Sequence, residues 1–233
     1  MPIFLISIVV LTVSIQPATD ITADDLDMNN IKDIKDKKKR FFDFMRPIII
    51  DENAKVLTLR KKLLDARNNK NNPGLVSKIA EDYSIEWTAD NKNWKKLLER
   101  VDAITLELAL AQSTAKSGWG QSRFAKQGNN FFGQWCYTKG CGIIPSERNR
   151  GLTHEVAKFN SVNDSVRSYI KTINTGRVYA RLRNIRRDNR AAGKQPDAKA
   201  QAGGLIKYSQ RRKEYVKEIR TMIQVNKKLM MGQ

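Results

Sequence analysis

Residues 105–142 decide the fold, and they read TLELALAQSTAKSGWGQSRFAKQGNNFFGQWCYTKGCG. Apolar residues recur from Ile104 at the spacing of a buried helix face, which predicts a helix over residues 104–117. Gly118 is expected to cap that helix, and Gly120 disfavours its continuation. A second short helix is predicted over residues 122–127. The loop GNNFFG that follows, residues 128–133, combines turn residues with two aromatics, so its backbone can approach a ligand closely.

Helical patterns lie on both sides of this stretch. Before it, helices are predicted over residues 48–66, 75–83 and 91–101, and Pro47 is expected to interrupt the chain ahead of the first. After it, helices are predicted over residues 164–173, 179–190 and 208–226, with AAGKQPDAKAQAGG as a loop between the last two. Residues 131–159 are the part expected to contain β-structure.

The order of these segments predicts five regions. Residues 1–19 contain the apolar run IFLISIVVLTV, which is too short for an ordinary membrane span. It is typical of a signal peptide or N-terminal anchor, although the usual preceding Lys or Arg is absent, and a buried strand is the alternative. Residues 20–31 are acidic and predict a mobile linker. An N-terminal helical region is expected over residues 32–101, the main domain over residues 102–226, and a tail over residues 227–233.

Two motifs, residues 111–125 (AQSTAKSGWGQSRFA) and 128–135 (GNNFFGQW), resemble the Bax-type bacterial proteins of the glucosaminidase superfamily, glycoside hydrolase family 73. The resemblance continues through WCYTKGCG, THEVAKF, SVRSY, AGGLIKYS and YVKEIR in the same order, and it spans roughly residues 30–226. It implies a mainly helical α+β fold, a lysozyme-like helical domain with a small β-hairpin lobe and an N-terminal helical extension. It also implies cleavage of peptidoglycan glycan strands after N-acetylglucosamine, with no cofactor.

One position departs from the family pattern. The family has a catalytic Glu where this chain has Lys116. Cleavage of a glycoside needs a proton at the leaving oxygen, and a partly buried carboxyl at a helix C-terminus has the raised pKa that suits a general acid. A lysine there is stabilised by the helix dipole by about 0.3–1 kcal/mol, and its reference pKa of about 10.4 holds the proton tightly. Loss of the acid costs about 10² to 10⁴ in rate. Without the resemblance, Lys116 is a solvated helix-end lysine.

The resemblance places further site residues on both sides of a cleft. Glu155 is the second carboxylate candidate, and it is expected to face Lys116 as an ion pair or across water; an exposed strand glutamate is the alternative. A substrate-binding groove is expected from Trp119, Asn130, Phe132 and Tyr208. For Tyr208, a packing tyrosine with a surface hydroxyl has equal weight.

Cys136 and Cys141 are the only cysteines. In an exported protein an even pair at this spacing predicts a disulfide, which contributes about 2 kcal/mol in the chain-entropy model. No metal site is expected, because His154 is the sole histidine and no second cysteine pair exists. His154 is expected to have a surface or supporting role.

The charge is strongly positive. The formal net charge is +19, and residues 181–220 hold thirteen Lys and Arg against four Asp and Glu. Such a field attracts polyanions. Because no helix-turn-helix, zinc-finger or RNA-recognition pattern is present, no nucleic-acid partner is expected. Peptidoglycan and an anionic envelope surface are the expected partners.

These observations leave three hypotheses for function. The first is an active peptidoglycan hydrolase of the bacterial periplasm or cell envelope, acting as a monomer, which requires a substitute acid such as Glu155 with water, or substrate assistance by the acetamido group. This copy is expected to be impaired, because Lys116 replaces the general acid. The second is a glycan-binding pseudoenzyme that has lost turnover. The third is a basic nucleic-acid or membrane-surface binder, which the motifs do not support.

Overall fold

A computed structural model describes residues 21–233. The apolar run predicted as a signal peptide or anchor lies outside the described residues. Across residues 21–233, no helix combines the length and the apolar character needed to cross a membrane.

The described chain is mainly helical with one small antiparallel sheet, so the predicted α+β, mainly α fold class is confirmed. The helices are α1 (Ile34–Asn69), α2 (Pro73–Asp82), α3 (Trp94–Arg100), α4 (Leu106–Ser117), α5 (Arg123–Gly128), α6 (Val162–Thr175), α7 (Ala180–Ala191), α8 (Ala198–Ala202) and α9 (Arg212–Met230). The strands are β1 (Trp135–Cys136), β2 (Gly142–Ile143) and β3 (Glu155–Ala157). Two single-turn 3-10 helices, Ala23–Asp25 and Arg177–Tyr179, complete the structure.

Helix α4 lies at the centre of the core. It packs against α1, α8 and α9, and Leu108–Ala111 are fully buried on every side of the helix. The expected single apolar face is therefore too narrow a description, because α4 is enclosed all round. The helix ends at Ser117, and Gly118 adopts the left-handed conformation with φ 57° and ψ 51°. The predicted glycine cap is confirmed.

Helix α1 runs through Pro47 without a break, so the expected interruption is wrong. The missing helical hydrogen bond costs about 3 kcal/mol. Burial of each large apolar side chain contributes about 1.5–3 kcal/mol, and Phe42, Met45, Ile48 and Ile49 are all buried around the proline. Packing of this face therefore outweighs the local cost. Because α1 packs against α4, α6 and α9, the N-terminal helical region shares one core with the main domain.

The start of the described chain is packed rather than a free linker. The backbone N–H of Ala23 donates to Asn129 Oδ1 (2.7 Å), and Ile21 O accepts from the backbone N–H of Val162 (2.7 Å). Leu26 lies directly against Gly120, where any Cβ would overlap its side chain. Gly120 is also at φ 77°, so two independent reasons require glycine here. The acidic composition of the segment gave no sign of these contacts.

The sheet has the order β1-β3-β2, with β3 antiparallel to both neighbours. The expected small antiparallel lobe is therefore present: β2 and β3 are consecutive neighbours, and β1 pairs with β3 rather than with β2. The chain between β1 and β2 is closed by a disulfide between Cys136 and Cys141, as predicted, with their Cα atoms 6.2 Å apart. This closed loop places the two strands on opposite edges of β3.

A buried ionic cluster joins α7 to α3 and the segment before α4. Asp102 is 2% exposed and accepts hydrogen bonds from Arg190 Nε (2.6 Å) and Nη2 (2.5 Å). Arg186, itself 1% exposed, lies 3.5 Å from the same carboxylate. Glu99 pairs with Arg183 and Arg187. Much of the basic charge of α7 is thus used inside the fold.

Candidate functional site

A cleft of about 1290 Å³ lies between the β-sheet, α6 and the segment before α9. Its walls include the end of α4 at Lys116, the loop and strand at residues 132–137, and the chain at residues 206–212. Of the groove residues expected from the sequence, Phe132 and Tyr208 line the cleft. Clefts of this size accommodate several sugar-sized units.

Lys116 is half-buried in this cleft, and Gly133 lies opposite it. Gly133 is at φ 62°, and a Cβ built there would lie 3.4 Å from Lys116 Cδ. The ammonium nitrogen lies 5.4 Å from the centre of the Tyr208 ring and 5.0 Å from that of Tyr215. Cation–π attraction therefore holds the charge over two aromatic faces.

The proton affinity of Lys116 follows from burial. Desolvation of the ammonium lowers its pKa, the nearby carboxylate of Glu218 acts in the opposite direction, and the guanidinium of Arg211 adds to the lowering. The helix dipole at this end favours the cation, as expected from the sequence, but the net direction is downward. Burial of Lys116 itself was not expected, since residue type and position alone indicate a solvated helix-end lysine.

Aromatic side chains stack in layers behind the cleft. The ring of Phe132 stacks on Tyr169 with centroids 4.0 Å apart, and Tyr208 stacks on Tyr215 at 5.7 Å. Tyr208 donates from its hydroxyl to Phe132 O (2.9 Å), so that hydroxyl is used in packing the cleft wall. Burial raises the pKa of Tyr169 and of Tyr208 well above the ordinary value, which keeps both phenols neutral.

An exposed aromatic pair forms the opposite wall. Trp135 is 50% exposed and Tyr137 is 70% exposed, and both line the cleft. One face of the Trp135 ring stacks on the buried His154, with centroids 3.9 Å apart. The sole histidine thus supports a cleft aromatic, in agreement with its expected supporting role. Neither aromatic was singled out from the sequence, although Trp135 belongs to the motif that carries the family resemblance.

Glu155 does not face the cleft or Lys116. It is buried, and its two carboxylate oxygens accept from the backbone N–H groups of Gly140 (3.0 Å) and Gly142 (2.8 Å). These two hydrogen bonds lower its pKa. Within residues 21–233, no ion pair joins it to Lys116, and it is not among the cleft residues. Its place in the central strand turns the carboxylate towards the disulfide loop.

Two other residues expected in the groove instead pack inside the fold. Trp119 packs edge-on against Phe41 and Phe42, at 5.6 and 5.4 Å between centroids, and does not line the cleft. Its left-handed φ of 60° turns it towards α1. Asn130 is 1% exposed, and its amide donates to Gln134 O and Ala157 O, both at 2.9 Å. It holds the loop to the sheet instead of facing a ligand.

The charge of the cleft is positive. Its lining contains Lys116, Lys207, Arg211 and Arg212, and none of its described lining residues is an Asp or a Glu. Arg211 forms an exposed ion pair with Glu218 on α9 (2.7 Å). The basic run at the start of α9 was noted from the sequence only as part of a general charge, and its place at the cleft depends on the fold.

Comparisons with known proteins identify the family. The glucosaminidase family model, described as mannosyl-glycoprotein endo-beta-N-acetylglucosaminidase, matches residues 91–228, more than half of the chain. Protein bax of Escherichia coli (strain K12) is 31% identical over 199 residues, which cover 83% of this chain and 71% of that protein. No solved structure matches the chain. The protein therefore belongs to the glucosaminidase family, as a Bax-type member.

Proposed function

We propose that this protein binds peptidoglycan glycan strands in the cleft and that its hydrolysis of them is severely impaired. The observation that carries the proposal is the lining of the cleft. Lys116 stands where the family resemblance places a general acid, and the described residues of the lining include no carboxyl group. Glycan binding without efficient turnover is the function that this combination supports best.

The chemistry follows from the need for two carboxyl groups. Glycosidases of this kind place an acid and a second carboxylate on either side of the scissile bond. Lys116 supplies neither carboxyl group: an amine cannot act as a carboxylate nucleophile, and a lysine ammonium starts from a reference pKa of about 10.4, well above that of a carboxylic acid. Glu155 is held as an anion by two backbone amides and cannot replace the missing acid. The expected loss is about 10² to 10⁴ in rate.

Binding is supported by both walls of the cleft. The open aromatic faces of Trp135 and Tyr137 suit the apolar faces of pyranose rings, since large amphipathic rings combine contact area with polar edges. The cations of the opposite wall suit the carboxylates on peptidoglycan substituents. Export to the cell envelope is part of this proposal, and the disulfide between Cys136 and Cys141 supports it.

The test compares hydrolysis and binding on the same substrate. Purified peptidoglycan sacculi are incubated with the protein and with Lys116→Glu, and reducing ends and co-sedimented protein are measured. We expect both proteins to sediment with sacculi, and Lys116→Glu to release reducing ends at least about 100-fold faster. Lys116→Gln is the matched control, because it removes the positive charge without adding an acid, and it should stay inactive.

Two results would contradict the proposal. If the protein itself releases reducing ends, and does so as fast as Lys116→Glu, another group supplies the proton and the impairment is wrong. If the protein does not sediment with sacculi, the binding role is wrong.

Loss of sedimentation in Trp135→Ala, with thermal stability retained, would place the sugar at the aromatic wall.

A further inference from the structure

A second concavity lies on the other side of the segment that borders the cleft. Its volume is about 450 Å³, and it is formed by the start of α7, the end of α8 and the outer face of α9. Ile206 lines both this concavity and the cleft. We propose that it is a separate binding site for a phosphate group carried by an anionic envelope lipid or polymer. The proposal does not depend on binding or cleavage of glycan.

The cationic side chains of this site are free of acidic partners. Arg181, Lys213, Lys217 and Arg220 line it, and within residues 21–233 none of them forms an ion pair and no acid lines the concavity. The rest of α7 behaves differently, because its other four arginines all pair with Glu99 or Asp102. Among the described residues, the one α7 arginine without an acidic partner thus lies beside three further unpaired cations at this concavity. Four cations around one concavity create a local potential that a multivalent anion relieves.

Arg220 is held in an orientation that suits an anion. Its Nε donates to Lys199 O (2.9 Å), which fixes the guanidinium plane and leaves the terminal N–H groups available. A Cβ on Gly203 would lie 3.0 Å from Nη2 of Arg220. The absence of a side chain at Gly203 therefore leaves room for the guanidinium edge in the concavity. With Nε in use, the edge formed by Nη1 and Nη2 remains free to bind a pair of phosphate oxygens.

The floor of the site indicates that the ligand is larger than a single phosphate. Val216 is buried and Ile206 is half-buried, so the cations stand around an apolar base. A volume of about 450 Å³ accommodates a phosphate ester together with part of the group that carries it. Thr221 and Gln224 supply neutral hydrogen-bonding groups at the rim. These features fit a diphosphate or a phosphate ester better than a single orthophosphate ion.

The test uses the full chain and inorganic pyrophosphate as the probe, measured by isothermal titration calorimetry at two salt concentrations. The double variant Arg181→Ala/Arg220→Ala should bind pyrophosphate at least about tenfold more weakly. The matched control is Lys61→Ala/Lys62→Ala on exposed turns of α1, which removes the same net charge and should change the dissociation constant less than about twofold. Equal weakening in both double variants, or no binding by the protein, would overturn the site.

A third variant guards against loss of folding as the cause. Arg220→Lys keeps the charge but loses the paired N–H groups, so we expect weaker pyrophosphate binding with an unchanged melting temperature. If Arg220→Lys binds as well as the protein, the role given to the guanidinium is wrong.

Two further probes separate the sources of the phosphate. Binding to phosphatidylglycerol vesicles but not phosphatidylcholine vesicles, lost in Arg181→Ala/Arg220→Ala, assigns a lipid headgroup. Binding of soluble polyphosphate without vesicle binding assigns a polymer. If a short DNA duplex displaces pyrophosphate and neither vesicles nor polyphosphate do so, the site belongs to nucleic acid and the proposal fails.

Discussion

Replacement of Asp102 by alanine should lower the free energy of unfolding of this protein more than removal of any exposed charge does. Asp102 is 2% exposed and accepts both hydrogen bonds of the Arg190 pair, at 2.6 and 2.5 Å. It also lies 3.5 Å from Arg186, whose guanidinium is fully enclosed. Burial lowers the pKa of Arg186 to about 10, and the carboxylate of Asp102 is the main group that opposes this effect.

The magnitude follows from leaving these charges without a partner. Removal of one member of a buried ion pair costs about 3–5 kcal/mol, against a total stability of about 5–15 kcal/mol for a typical domain. For a chain of this size, each kcal/mol moves the melting temperature by about 2–4 °C, so Asp102→Ala should melt about 6–20 °C lower. Chemical denaturation followed by circular dichroism gives the free energy of unfolding directly.

The control is Asp43→Ala on α1. Asp43 also pairs with two cations, Lys39 at 2.6 Å and Arg46 at 2.9 Å, but its side chain is 39% exposed. Exposed pairs of this kind contribute about 0–1 kcal/mol. If Asp102→Ala loses no more free energy of unfolding than Asp43→Ala, the ionic cluster does not hold α7 in place and our account of it is wrong.

Three further predictions concern the sheet and its loop. Because the pKa of Glu155 is lowered, its carboxylate contributes fully to stability above pH 4.5, the ordinary pKa, and this contribution is lost as the pH falls through the lowered pKa. Glu155→Gln should abolish this part of the acid dependence of the melting temperature. An unchanged acid dependence in Glu155→Gln would contradict the prediction. Gly142→Ala should destabilise the protein by about 1–3 kcal/mol in urea, because its Cβ would overlap the backbone of β3. Gly74→Ala, in open space on α2, should instead stabilise it by about 0.4–1 kcal/mol, and similar effects of the two changes would refute the steric argument. Cys136→Ser should lower the free energy of unfolding by about 2 kcal/mol through loss of the disulfide, and a reducing agent should lower that of the unchanged protein by the same amount. No change on reduction would show that the loop is held by its hydrogen bonds alone.

Several features could be predicted from the sequence because they depend on neighbours along the chain. The α4 helix, its Gly118 cap and the disulfide between Cys136 and Cys141 are local, and each has a signal in residue type and spacing. The family resemblance also made the fold class predictable from the sequence. The interruption expected at Pro47 failed because packing of α1 against three other helices outweighs a local preference.

The site was predictable only in part. Lys116, Phe132 and Tyr208 meet in the cleft, whereas Trp119, Asn130 and Glu155 belong to the supporting structure. A sequence motif contains both kinds of residue, because contact with a ligand and the shape of a tight loop each require particular residue types. The direction of the side chain in the fold therefore distinguishes cleft residues from supporting residues. A left-handed backbone turns Trp119 towards α1, and two backbone amides bind the carboxylate of Glu155.

The sequence by itself determined the helical segments, the glycine cap, the disulfide pair and the excess of positive charge, because each follows from residue type and spacing. Only the tertiary structure decided where that charge is used. Arg186 and Arg190 both pair with the buried Asp102, while Arg181 and Arg220 have no acidic partner in the part of the chain that the structure describes. Electrostatic energy depends on distance in space and on burial, and neither is written in the order of residues.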